Sequence, residues 1–331
     1  MMERLLLWLA LCVTSLPSLA ADPLVIFSGR SDKFVKPVVE AFSRDTGLEV
    51  VLHSAKSTEL LNKLRLEGAR TEADLFLSND AGNLQKGSDF GLFRPLHESV
   101  VAVIDPGLRS SDNSWVGLSA RARVLVVNAD AAGFDFLGSV FDLADPRVKG
   151  GLAITNSANE SFIAGTTVYM LKAGTDKTRA WLEGLKANAG GQVYAKHSKI
   201  VADVAAGRKS VGLVNHYYIY RYLDKRPDAP IRILLPDQGD GGMGVAWNVA
   251  GVAISKHSKH PDAEKLVEYL LSEQGQRLFA EVNREYPTRK GIPAASEVPA
   301  AGSYKVADVP MAALGEQRDA TLDLLEQVGM P

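Results

Sequence analysis

The stretch LVNHYYIYRYL, residues 213–223, sets two phenols, Tyr217 and Tyr218, side by side after an apolar run and beside Asn215, His216 and Arg221. Two chemistries are open to such a pair. With Tyr220 and Tyr222 close by, the phenols can form an aromatic surface whose work is packing. Alternatively they can bind a metal, because phenolate is a hard anionic oxygen donor. A free phenol ionises only near pH about 10, so the cation must be strongly Lewis acidic to displace the proton at neutral pH, and ferric iron is such a cation. The local pattern bears on the choice. VGLV (211–214) reads as a buried strand and Asn215 as a helix N-cap, which would put both phenols in the first turn of a helix at the C-terminal edge of a sheet. Two phenols at the rim of a cleft are unusual packing, and the metal reading is favoured.

Other motifs carry less. GDGGMG (239–244) matches the spacing of a dinucleotide fingerprint but runs into the strand-like VAWNVAGVAI, where the fingerprint needs a helix, so it reads as a glycine connection. His257 and His260 have a spacing that would suit a metal on one helix, yet Pro261 is expected to start the helix after them. His53 and His97 stand alone. No HExxH, GxSxG or Walker A motif occurs, and no acid, base and nucleophile can be assembled, so the chain reads as a non-enzyme.

The elements that must position these residues follow from periodicity. Residues 1–20 combine Arg4, a short apolar run and small residues before Ala20, the pattern of a cleavable secretory signal, and the expected location is the periplasm. Its removal takes away Cys12, the only cysteine, and leaves 311 residues with no disulfide or thiolate chemistry. That length suggests two lobes. Lys plus Arg at 37 against Asp plus Glu at 39 leaves no basic excess, so nucleic acid is not an expected partner. From Pro23 the chain alternates strand, helix and strand: LVIF, a helix stopped by Gly47, LEVVLH, a helix capped by Ser57, then ADLFLS. Such alternation predicts an α/β fold with a mainly parallel sheet flanked by helices. The loops FSGRS, LSNDAGN and LVNHYY all lie at strand ends, where ligands bind in open α/β sheets. A second α/β lobe follows, and the chain is expected to cross between lobes near RARVLVVN (121–128) and WNVAGVAI (247–254).

These words, in this order and spacing, resemble the periplasmic ferric-iron-binding proteins of ABC importers, a bacterial transferrin-like group of class II solute-binding proteins. The likeness covers the mature chain, through FSGRSDKFVKPVVEAFSRDTGLEV, LSARARVLVVN, VYAKHSKIVADVAAG, VGLVNHYYIYR, REYPTR and LLEQVGM. It implies a two-lobed type II periplasmic-binding-protein fold, with residues 21–122 plus 247–293 in one lobe and 123–246 plus 294–331 in the other. It implies Fe(III) as transported ligand held by Tyr217 and Tyr218, a monomer, and delivery to an ABC permease and its ATPase. The family's variable ligands are absent: Ser31 stands in the first loop, Asn79 and Asp80 follow ADLF, and TNSANESF lacks a tyrosine. A synergistic anion, carbonate or phosphate, would complete the coordination with water. The resemblance assigns that anion to Arg121, Asn215 and His197, with Arg30 a further candidate from its loop. For Arg121, and more so for Arg123, the alternative is a salt bridge across the hinge. The rival function is binding of a phosphonate or another small oxyanion by Arg30, Arg121 and helix N-termini, with the tyrosines merely lining the pocket.

Overall fold

The structure, a computed structural model, describes residues 22–331, so the expected signal 1–20 lies outside the described residues. Ten strands run in chain order as β1 (Leu24–Ser28), β2 (Val50–Ser54), β3 (Leu75–Ser78), β4 (Phe93–Arg94), β5 (Val116–Asn128), β6 (Leu152–Ala153), β7 (Val211–Asn215), β8 (Ile231–Leu234), β9 (Trp247–Ser255) and β10 (Tyr286–Pro287). The first three obey the βαβ rule: β1 lies between β2 and β3, parallel to both. The helix after β1, Asp32–Thr46, buries Val35, Val38, Val39 and Phe42 at helical spacing. It ends where Gly47 takes φ 74° and returns its amide to Ser43, a conformation that glycine adopts without strain. Ser57 begins the next helix, Ser57–Glu67, instead of capping it; the cap position is Lys56. Its hydroxyl instead donates to Asn79 Oδ1 at 3.0 Å.

One long strand organises the rest. All thirteen residues of β5 are buried. Its first part, through Ala122, pairs with β9, giving the order β2-β1-β3-β9-β5, with β10 added at Ser119 and Ala120. From Arg123 onward it pairs with β7 and β8, and β7 carries β6. The change of partner falls between Ala122 and Arg123, where the Arg123 amide donates to Ala246 O at 2.9 Å, so the chain's return into β9 lies beside it. The strand begins five residues before the expected RARVLVVN, because Gly117 and Ser119 disguise a run that is buried throughout. The helices Glu160–Ala173, Thr175–Ala189 and Arg318–Val328 cover the second half, joined by the Trp181 indole donating to Val140 O at 2.9 Å and by Thr167 meeting Thr321 at 2.8 Å. The helix expected at Pro261 starts at Ala263. Among the described residues no helix is long and apolar enough to cross a membrane.

Candidate metal centre

The tyrosine pair sits where β7 ends. Asn215 is the last residue of the strand and not the helix cap; His216 holds that position, with no side-chain cap bond, and Tyr217–Leu223 is the helix. His216 anchors the turn instead. Its Nδ1 accepts from the Ala122 amide at 3.1 Å, which leaves Nε2 as the donor to Arg284 O at 2.8 Å. Burial holds its pKa down to about 4, so it is neutral at pH 7 and adds no cation beside the phenols. The Tyr217 and Tyr218 rings are 4.3 Å apart at 32°. Tyr217 is buried against the edge of Phe34, and Tyr218 is half-buried. Burial, then the charge and hydrogen bond of Tyr217, push the Tyr218 phenol well above its ordinary pKa. It is therefore a neutral phenol at pH 7, and a strong Lewis acid is required to remove its proton.

Behind the pair lies a positive wall. His197 stacks on Tyr218 with centroids 5.1 Å apart and planes 15° apart. Its pKa is pushed well below the ordinary value by burial and by the charges of Arg123 and Arg121, so it too is neutral. Arg123 Nη1 lies 3.3 Å from His197 Nδ1 and 3.4 Å from Asn215 Oδ1. Asn215 in turn donates to Ser161 Oγ at 3.0 Å. Arg123 is 3 % exposed, its Nε and Nη2 have no partner, and burial lowers its pKa to about 10. A salt bridge across the hinge is thus not what these arginines make: among the described residues no carboxylate lies in ion-pair contact with Arg121 or Arg123. Arg121 donates instead to the carbonyl of Asn79, with its Nε unpartnered. A buried guanidinium without a counter-ion is costly unless an anion reaches it.

Two residues expected at the cleft are committed elsewhere. Arg30 forks onto both oxygens of Glu285, at 2.7 and 2.8 Å, and onto Ser119 at 3.1 Å. Burial alone would raise the Glu285 carboxyl, but the charges of Arg30 and Arg121 and the bonds from Arg30 and Ser119 overrule it and hold it low. Arg30 is therefore half of a core ion pair, its charge matched by Glu285, with only its Nε left unpartnered. Asp80 caps the helix Ala81–Asp89, accepting from the Asn83 amide, from Asn248 at 3.0 Å and from Arg318 at 3.0 Å. Ser31 is exposed at the start of the helix Asp32–Thr46 and makes no capping bond. Asn79 stays half-buried beside Arg121. Its loop is held close to the first one, since Gly29 packs so tightly on Ser57 that a Cβ would stand 2.0 Å from the hydroxyl.

One residue was not anticipated. Glu160 opens the helix Glu160–Ala173 of the second half and accepts from Asn83 of the first half at 3.2 Å. Burial and the neighbouring Asp80 raise its pKa to about 7. Its acidic position in the first turn reads in sequence as ordinary helix chemistry, which conceals its place between the halves. The histidines His257 and His260 fall in a connector, as expected, with His260 bonded to Asp22 O at 2.7 Å.

Residues 38–306 match the model of the bacterial extracellular solute-binding proteins. The chain belongs to that family. It is similar to the Synechocystis protein called iron uptake protein A2, with 31 % identity over 97 % of this chain and 94 % of that one. Among solved structures it is similar to a ferric binding protein from Campylobacter jejuni, with a TM-score of 0.87 and 26 % identity over 93 % of this chain and all of that one. It is also similar to a Trichodesmium protein in complex with iron and citrate ligands, with a TM-score of 0.82 and 28 % identity over 94 % and 100 % of the two chains. The fold is the type II periplasmic-binding-protein architecture, α/β sheets with flanking helices.

Proposed function

We propose that this protein is a periplasmic, non-enzymatic receptor for ferric iron. In this reading residues 21–122 plus 247–293 and residues 123–246 plus 294–331 are two lobes that close on the cargo, and the closed form is presented to an ABC permease and its ATPase. Tyr217 and Tyr218 supply two phenolate oxygens. The remaining positions are taken by water and a synergistic anion, carbonate or phosphate, lodged against Arg123, Arg121, His197 and Asn215. The observation that carries this reading is the neighbourhood of two close phenols and a buried guanidinium that has two nitrogens unpartnered. The Tyr218 phenol, of raised pKa, requires a Lewis acid to lose its proton, and the guanidinium requires an anion, so metal and anion complete one site together. The relatives that bear ferric or iron names support the choice of metal. Closure is a population shift driven by ligand contacts to both lobes.

The test is optical. Protein mixed with ferric citrate is expected to turn orange-red through phenolate-to-iron charge transfer, and the Tyr217→Phe, Tyr218→Phe double variant is expected to stay colourless. A wild-type protein that remains colourless while binding a phosphonate in a calorimeter would replace this reading with that of an oxyanion carrier. That rival has lost one support, since Arg30 is tied to Glu285.

A further inference from the structure

The helix Glu160–Ala173 sets Gly165 and Tyr169 one turn apart on one face. Tyr169 is 2 % exposed and packs edge-on against Trp181, with centroids 5.0 Å apart, and against Phe141 at 6.0 Å. A phenylalanine would make the same contacts. The hydroxyl that distinguishes the two has no partner among the described residues, although buried hydroxyls are ordinarily hydrogen-bonded. A long helical side chain lies back over the preceding turn, and this carries the hydroxyl to Gly165. A Cβ on Gly165 would stand 3.6 Å from Tyr169 Oη and 3.8 Å from Arg123 Nε. Both groups therefore border one small volume, and they lie no farther apart than an oxyanion with a hydrogen bond on each side can span. Packing does not demand a glycine here. An alanine Cβ would meet nothing closer than ordinary van der Waals contact, and alanine is the better residue in a helix interior. What glycine supplies is room beside Arg123.

The guanidinium is unevenly engaged. Its Nη1 faces His197 and Asn215, whereas Nε and Nη2, the two nitrogens of the other edge of the fork, are both unpartnered. Such an edge holds two oxygens of one anion in parallel. The nearest acid to the phenol does not take the place of that anion, because Asp237 is bound to the Ser139 hydroxyl at 2.6 Å and to the Val140 amide at 3.1 Å. Burial raises the Tyr169 pKa against the opposing charge of Arg123, so the hydroxyl keeps its proton and can donate it in a hydrogen bond. We infer that Tyr169 is a specificity-determining donor of the anion site, its hydroxyl and the Nε and Nη2 edge of Arg123 gripping one small oxyanion in the room that Gly165 leaves. This rests on the reading of the site as a metal centre completed by an anion.

The experiment separates anion binding from stability. Iron-free protein is titrated in a calorimeter with bicarbonate and, separately, with inorganic phosphate at constant ionic strength, and its thermal unfolding is followed with neither present. The charge-transfer band of the ferric protein is then recorded over the same anion concentrations. Tyr169→Phe loses only an unpartnered hydroxyl, so it is expected to unfold no earlier than wild type and yet to bind the preferred anion about tenfold more weakly. Gly165→Ala is expected to unfold later, as the better helix residue, and also to bind the anion more weakly, because its methyl group takes the room. If both residues serve packing alone, the stability changes appear and anion binding stays as in wild type. That result, or a wild-type protein that binds neither anion with or without iron, would overturn the assignment. A coloured ferric protein whose anion affinity is the same in Tyr169→Phe overturns it too and leaves the ferric reading standing. Anion binding that weakens in both variants of a protein that never colours upholds the site and sinks the ferric reading.

Discussion

Replacing Arg30 by alanine should damage the core of the first half and leave the anion pocket in place. The guanidinium forks onto both oxygens of Glu285, and Ser119 donates to the same carboxylate at 2.7 Å. The Arg30 and Glu285 side chains are 2 % and 0 % exposed, so Arg30→Ala would strand a carboxylate that water cannot reach. Breaking a buried pair in this way costs about 3–5 kcal/mol, far more than a surface bridge. The sign with pH follows from the partner left behind. In the native protein the Glu285 carboxyl sits below its ordinary value of 4.5, so its contribution to stability is present above that value and is lost as the pH falls through the lower native pKa. Without Arg30, burial raises the carboxyl, and protonation relieves the penalty. The deficit of the variant should therefore be largest at neutral pH and shrink as the pH approaches 4.5 and below. Urea unfolding of wild type and variant at a series of pH values measures it. A deficit below about 1 kcal/mol at pH 7, or a loss of anion affinity with stability unchanged, would refute the argument and return Arg30 to the cleft.

Two further predictions test the interface between the halves. Arg123→Met removes a buried cation at similar volume, so stability at pH 7 should hold or rise, while the dependence of iron binding on carbonate or phosphate should weaken; loss of fold with anion dependence intact would contradict this. The Glu160 carboxyl has a native pKa raised to about 7, above its unfolded value, so stability should fall as the pH rises from 4.5 to about 7. Glu160→Gln should flatten that slope and stabilise the protein at pH 8, as measured by unfolding at pH 5 and pH 8.

What could be read in advance was local. Strands of continuous apolar residues, helices of 3.6-residue period and the αL glycine at Gly47 depend on neighbours within a few positions, and β1, β3 and the helix Asp32–Thr46 appear where the pattern puts them. The short loops at strand ends were legible for the same reason, and with them the location of Tyr217 and Tyr218. Boundaries were less so: Ser57, Asn215 and Pro261 each carry a start signal, yet each helix begins one or two residues from the expected point, because tertiary hydrogen bonds claim the side chains of Ser57 and Asn215.

The sequence by itself determined that this is an α/β chain with a phenol pair at the end of a strand and with charges of both signs that nearly balance, at a net -2. Only the tertiary structure decided which charges are free. Arg30 meets an acid 255 positions away, and Asp80 a guanidinium 238 positions away, while Arg123 meets none. Arg30 and Asp80 lie just past strand ends and Arg123 lies within β5, and nothing in their local sequence says which of them finds a counter-ion. The difference arises when distant segments are brought together in a medium that screens charge weakly, where a counter-ion in contact turns a costly buried charge into part of the core and its absence leaves a site for a ligand.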